Sequence, residues 1–154
     1  MRIPTAVVAA GSIGVLLAMT FPGSASAATA HRIAGTATIG FTSEDLGAKG
    51  LTPGDRLSYT VRTTDKAGKK IGDGGGDCVL VSGHDEKHAL YQCTETDRFG
   101  AATLTVTGLY DAGATGRQHW SITGGTGRYE NAHGVEDFKA LTANTFDALF
   151  RFST

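Results

Sequence analysis

Apolar and polar residues alternate with a period of two over most of this chain, the rhythm of strands with one face buried. Arg56–Thr64 is the clearest case: Leu57, Tyr59 and Val61 fall on one side, and Ser58, Thr60 and Arg62 on the other. Thr145 to Phe152 repeats it, with Phe146, Ala148, Phe150 and Phe152 on one face. Leu104, Val106 and Tyr110 do the same within Ala101 to Tyr110, and Trp120 and Ile122 within Arg117 to Thr123. His31 to Phe41, Cys78–Ser82, Ala89–Cys93 and Val135 to Leu141 complete a set of eight. Turn-forming runs separate them: Thr52-Pro53-Gly54-Asp55, Asp65 to Gly68, Gly83 to His88 and Asp111 to Gly116. No stretch carries a long helical period. Eight short antiparallel strands without helices predict an all-β fold, an eight-stranded antiparallel closed barrel, with a β-sandwich as the alternative. Closure removes the exposed edges such strands would otherwise present. Eight strands leave an interior just wide enough for side chains or one small ligand.

Two glycine-rich runs interrupt the rhythm. Ile71 to Asp77 contains Gly72, Gly74, Gly75 and Gly76. It lacks the Lys-Ser/Thr ending and the following helix of a phosphate-binding loop, so a bent or bulged start to the third strand is expected. The run from Trp120 to Phe138 reads as strand, glycine turn, short helical turn and strand. Gly124, Gly125 and Gly127 let the chain leave the sheet sharply. Thr126 is placed to cap one helical turn over Arg128 to Asn131. Within this run, Ile122-Thr-Gly-Gly-Thr-Gly-Arg-Tyr-Glu-Asn-Ala-His-Gly134 resembles the signature of the dirigent and allene oxide cyclase superfamily, in particular its secreted bacterial members. The resemblance makes Gly124, Gly125, Gly127 and Gly134 a structural turn motif between two strands of a small barrel. It implies cofactor-free work on small hydrophobic or phenolic molecules: ring closure, isomerisation or stereoselective coupling. It also implies a homodimer or homotrimer.

Composition adds a compartment. Arg2, an apolar run from Ala6 to Ala18, the helix breakers Pro22 and Gly23 and the small-residue site Ala25-Ser26-Ala27 read as a secretory signal peptide over 1–27. The apolar run is too short to span a bilayer. Cleavage removes 27 of the 154 residues and leaves 127, a single barrel domain over 28–154. The whole chain carries a net charge of −1, and losing Arg2 makes it −2. No basic face follows, so nucleic acid is not an expected partner, nor is a membrane once the signal is removed. The protein is expected to be extracellular.

Two cysteines in an exported chain point to a disulfide. Pairing Cys78 with Cys93 across a hairpin puts Leu80 opposite Tyr91 and Val81 opposite Leu90, with the turn at Asp85-Glu86. A redox or nucleophilic cysteine is the alternative.

Candidate chemistry is sparse. His84 and His88 lie four apart in a predicted hairpin tip without a third ligand, so no metal site is assigned. No nucleophile elbow or spaced Ser/His/Asp set is present. What remains are polar groups on otherwise apolar strands. Glu95 shares the period of Tyr91 and Cys93, His119 adjoins Trp120, Glu136 shares the parity of Phe138, and Asp137 that of Val135. Arg62 and Arg151 are basic strand positions. Glu95, His119, Glu136 and Asp137 are the candidate catalytic residues, because a carboxyl among aromatics acquires a raised pKa suited to general acid–base work. No cofactor is assigned. The expected protein binds a small hydrophobic or phenolic ligand and, if an enzyme, is a cofactor-independent isomerase or cyclase. A carrier with the same cavity and a filled barrel acting through its surface are the alternatives. A titratable group in the cavity favours the first, an apolar cavity the second, a filled interior the third.

Overall fold

The computed structural model describes residues 28–154. The signal peptide assigned to 1–27 lies outside the described residues. Eight strands follow one another: β1 (Ala30–Glu44), β2 (Arg56–Thr64), β3 (Lys70–Ser82), β4 (Leu90–Phe99), β5 (Ala102–Asp111), β6 (Gln118–Gly125), β7 (His133–Ala140) and β8 (Thr145–Ser153). Each pairs antiparallel with the next, and β8 returns to pair with β1, closing the barrel. The alternation along each strand gives the inside and the outside. On β2, Tyr59, Val61 and Thr63 are buried while Arg56, Ser58, Thr60 and Arg62 are exposed.

Three local features confirm or refine the sequence expectation. The bulged start expected for the third strand is present: the strand begins at Lys70 and absorbs the glycine run. Its register against β2 shifts so that Thr63 faces Gly72 and Thr64 faces Lys70, leaving Ile71 as the extra residue of a bulge. The hairpin β3–β4 carries a second irregularity. Cys78 faces Cys93 and Leu80 faces Tyr91, but Ser82 rather than Val81 faces Leu90. Val81 is thereby turned outward and is 44% exposed. The third concerns Thr126. It does occupy the N-cap of a short 3₁₀ turn, Gly127–Tyr129, yet its hydroxyl makes no cap. That oxygen is engaged by the Thr103 side chain at 2.8 Å and the Thr103 N–H at 3.3 Å, which ties the turn to β5.

The glycine motif is explained position by position. Gly127 has φ +60°, a left-handed conformation. A side chain on Gly125 would lie 2.5 Å from the carbonyl oxygens of both Thr103 and Tyr129, and one on Gly134 would lie 2.2 Å from that of Arg151. Gly124 differs: a Cβ there would meet nothing within 4 Å, so neither packing nor backbone demands glycine.

The barrel has two unlike ends. Both described termini, the β2–β3 and β4–β5 turns and the 3₁₀ turn gather at one end. Aromatic rings fill it: Phe99 meets Phe150 edge-on at 5.4 Å, Tyr129 meets Phe152 at 5.1 Å, and His31 stacks on Phe152 at 5.0 Å. The other end carries the four loops β1–β2, β3–β4, β5–β6 and β7–β8 and is open.

Candidate functional site

A cavity of about 360 Å³ opens at that second end, a volume in the range of small-molecule sites. Its walls come from residues that the strand parity turns inward. Tyr91 and Tyr110, opposite one another on β4 and β5, stand near the mouth. Trp120, Phe138 and Phe146 form an aromatic side wall. Trp120 and Phe138 meet at 4.8 Å, and Phe138 and Phe146 at 6.2 Å. The indole N–H of Trp120 donates to the Leu109 carbonyl oxygen at 2.8 Å, so the ring is buried without an orphaned donor. The ring fits because β5 has glycine beneath it: a Cβ on Gly108 would come within 2.1 Å of the indole.

Deeper in, the wall becomes acidic. Glu95 on β4 and Glu136 on β7 line the cavity, and Asp97 lies one inward position beyond Glu95. All three are buried, with exposures of 6%, 5% and 1%. The Tyr59 hydroxyl donates to Glu95 Oε2 at 2.8 Å. Asp97 packs against Glu95, and Glu136 Oε2 is buried without a partner. The space for this cluster comes from β3. A Cβ on Gly74 would lie 2.7 Å from an Asp97 carboxylate oxygen, and one on Gly76 would lie 2.8 Å from the Tyr59 hydroxyl.

Burial dominates the protonation of these acids, because taking a carboxylate out of water costs more than a carboxylic acid. It pushes Glu95 up, with Asp97 and Tyr59 partly opposing. Burial and the neighbouring Glu95 carboxyl push Asp97 up to about 10. Glu136 is raised well above its ordinary value by burial and by the charges of Glu95 and Asp137. Burial also raises the phenol of Tyr59, with Glu95 adding to it. Asp97 therefore holds its proton at neutral pH, and the upward shifts of Glu95 and Glu136 favour their carboxylic acid forms, which donate hydrogen bonds.

The four acid–base candidates divide between the two sides of the wall. Glu95 and Glu136 line the cavity. His119 and Asp137 sit on the outer face, where Asp137 is hydrogen-bonded to the His119 ring and ion-paired with Arg151. Burial pushes the Asp137 carboxyl up, and the bonds to His119 and Arg151 outweigh it, leaving it below its usual range. Arg62 is exposed on the outer face of β2. His88 lies in the β3–β4 loop with its Nδ1 2.8 Å from Asp85. Among the described residues no group of three His, Cys, Asp or Glu side chains is arranged to hold a metal ion. Cys78 and Cys93 form the disulfide, and their side chains line the cavity. Sequence reasoning missed Tyr59 and Asp97. Asp97 had a signal, because Tyr91, Cys93, Glu95, Asp97 and Phe99 keep one period of two along β4.

A closed barrel sealed at one end, and open at the other onto an aromatic cavity with an acid floor, defines the class of small cavity-bearing β-barrels. The chain belongs to the allene oxide cyclase barrel-like domain family, whose profile matches residues 36–149. A search of curated proteins finds no match to the sequence. Solved structures share the fold. A pyocyanin demethylase superposes with a TM-score of 0.64 at 22% identity, over 77% of this chain and 99% of that one. A Diels-Alderase from Streptomyces koyangensis gives 0.69 at 20% identity, over 84% and 70%. A pterocarpan synthase dirigent protein gives 0.66 at 16% identity, over 81% and 96%.

Proposed function

We propose that this protein is an exported, cofactor-free barrel that binds a small hydrophobic or phenolic molecule and steers its cyclisation, isomerisation or coupling. The observation that carries the reading is the acid pair Glu95 and Glu136 at the depth of an apolar cavity. The aromatic wall selects one folded conformer of the ligand, which removes orientational entropy from the barrier. A protonated carboxyl donates to an oxygen on which negative charge develops, and Tyr59 fixes the orientation of Glu95. The demethylase, Diels-Alderase and dirigent neighbours support a barrel that hosts such chemistry. An acid inside the cavity favours steering over mere carriage.

Trp120 is the single tryptophan of the chain and lines the cavity, so it reports occupancy. The test titrates the protein with phenols and conjugated carbonyl compounds, follows Trp120 emission, and assays binders for product ratio. Saturable quenching is expected, with a product ratio that Glu95→Gln and Glu136→Gln shift toward the uncatalysed one. Saturable binding with product ratios identical to buffer leaves a carrier. No quenching by any compound of the panel rejects the ligand-binding reading.

A further inference from the structure

We infer that the ligand this cavity is built for carries a positive charge on a flat apolar frame, as a protonated aromatic amine or an N-alkylated nitrogen heterocycle does. The inference rests on the ligand-binding reading above and narrows it to a chemical class. Its first support is the sign of the wall. The cavity is lined by Glu86 at the mouth and by Glu95 and Glu136 at depth, and by no lysine, arginine or histidine. An anionic ligand would enter a site with no cation to meet it. A cation would find an acid at the entrance and, at the floor, carboxyls that can release a proton to meet it.

The second support is unspent hydrogen-bonding and charge capacity. Glu136, which lines the cavity, has its Oε2 buried without a partner. Natural interiors satisfy nearly all such atoms, so this one calls for a missing partner. A neutral hydrocarbon would leave it unsatisfied. A compact metal ion is not the partner, since the described residues offer no three-ligand arrangement.

The third support is the shape and electronics of the wall. Tyr91, Tyr110, Trp120, Phe138 and Phe146 surround the space above the acids. Aromatic faces attract a desolvated cation. A delocalised cation on a flat ring system uses both halves of the site, its frame against the rings and its charge toward Glu136.

The groups facing the acids are few. Tyr59 comes from β2, Glu95 and Asp97 from β4, and Glu136 from β7. Asp73 and Asp137 act on them through the wall. The strands β1, β5, β6 and β8 turn no charged side chain inward at this level. Binding a fixed cation therefore shifts the cluster toward its ionised form, and a carboxyl proton leaves for solvent.

Calorimetry with three flat probes of similar size tests the inference: N-methylquinolinium, 1-naphthalenemethanol and 1-naphthoate. The cation's charge does not titrate, so any pH dependence belongs to the protein. At pH 8 the cation is expected to bind at least about tenfold more tightly than the alcohol, and the naphthoate most weakly. Its affinity should fall toward pH 6, by up to about tenfold per pH unit for one proton exchanged. Buffers of different ionisation heat should show proton release. Glu136→Gln should weaken the cation by about tenfold and flatten the pH dependence. Should that variant fail to fold, the buffer series on the wild-type protein decides alone. Alcohol or naphthoate binding as tightly as the cation, or cation binding with no proton released, overturns the inference and leaves a ligand-binding barrel. Failure of all three probes to bind overturns both.

Discussion

Asp97 and Glu136 are carboxyls held in an apolar wall with too few donors, and their cost depends on pH. Their folded pKa values lie above those of the unfolded chain. The folded state thus holds protons that the unfolded state releases. That contribution is fully present below the unfolded carboxyl range and is lost as pH rises toward the folded value, about 10 for Asp97. Stability is expected to decline from about pH 5 to pH 9, by up to about 1.4 kcal/mol per pH unit for one uncompensated group. Asp97→Asn should flatten the curve, which urea titrations at several pH values would measure. A curve rising from pH 5 to pH 9 in the wild-type protein would refute the buried protonated cluster. Asp137 works with the opposite sign. Its pKa is lowered, so its contribution disappears as pH falls through the acid range. Trp120 is a packing residue of the same wall, 6% exposed. Trp120→Ala should cost about 3–5 kcal/mol in denaturant unfolding. A near-neutral result would place the ring on a rim that gives way.

The β6–β7 connection shows how one element separates two kinds of glycine. Gly125→Val drives a side chain into two carbonyl oxygens, so the variant should unfold or lose at least about 3 kcal/mol. Gly124→Ala, with open space at its Cβ, should melt within a few degrees of the parent by calorimetry. Equal melting temperatures for both variants would contradict the account of this turn. The β3–β4 hairpin is the second element with a measurable term. The disulfide closes a separation of 15 residues. Reducing it should cost about 3 kcal/mol by the chain-entropy account. Elements of this kind were largely legible beforehand: strand order, the cysteine pairing and the glycine turn follow from period and punctuation. What escaped has physical causes. Thr94 to Arg98 reads as a solvated stretch because its inward residues are acids, so burial of charge imitates exposure. Gly72, Gly74 and Gly76 carry no side chain and give parity nothing to act on, though they make the room that Phe99, Asp97 and Tyr59 occupy. Alternation alone separates Glu136 from Asp137, yet which parity faces inward is fixed only by the pairing partners, Trp120 opposite Glu136 and His119 opposite Asp137.

At the scale of the whole described molecule, one end is sealed by rings and carries both described termini, and the other holds the cavity. Intact mass of protein recovered from culture medium should correspond to residues 28–154 with one disulfide. A mass retaining residues 1–27 would refute the proposed cleavage, and two free thiols the bridge. Light scattering is expected to give a dimer or trimer, and a monomer at high concentration would dismiss that. The described ends are joined in register. Thr29 N–H donates to the Thr154 carbonyl oxygen at 3.1 Å, and Thr154 N–H donates back to Thr29 at 3.2 Å. The described residues thus form almost a ring already, broken at a point remote from the cavity. A short linker could fuse position 154 to position 28, and new ends could be opened at the exposed Gly116 of the β5–β6 loop. Such a circular permutant would keep every strand pair while hanging its tails beside the entrance, where a tethered reporter would sense each molecule that goes in.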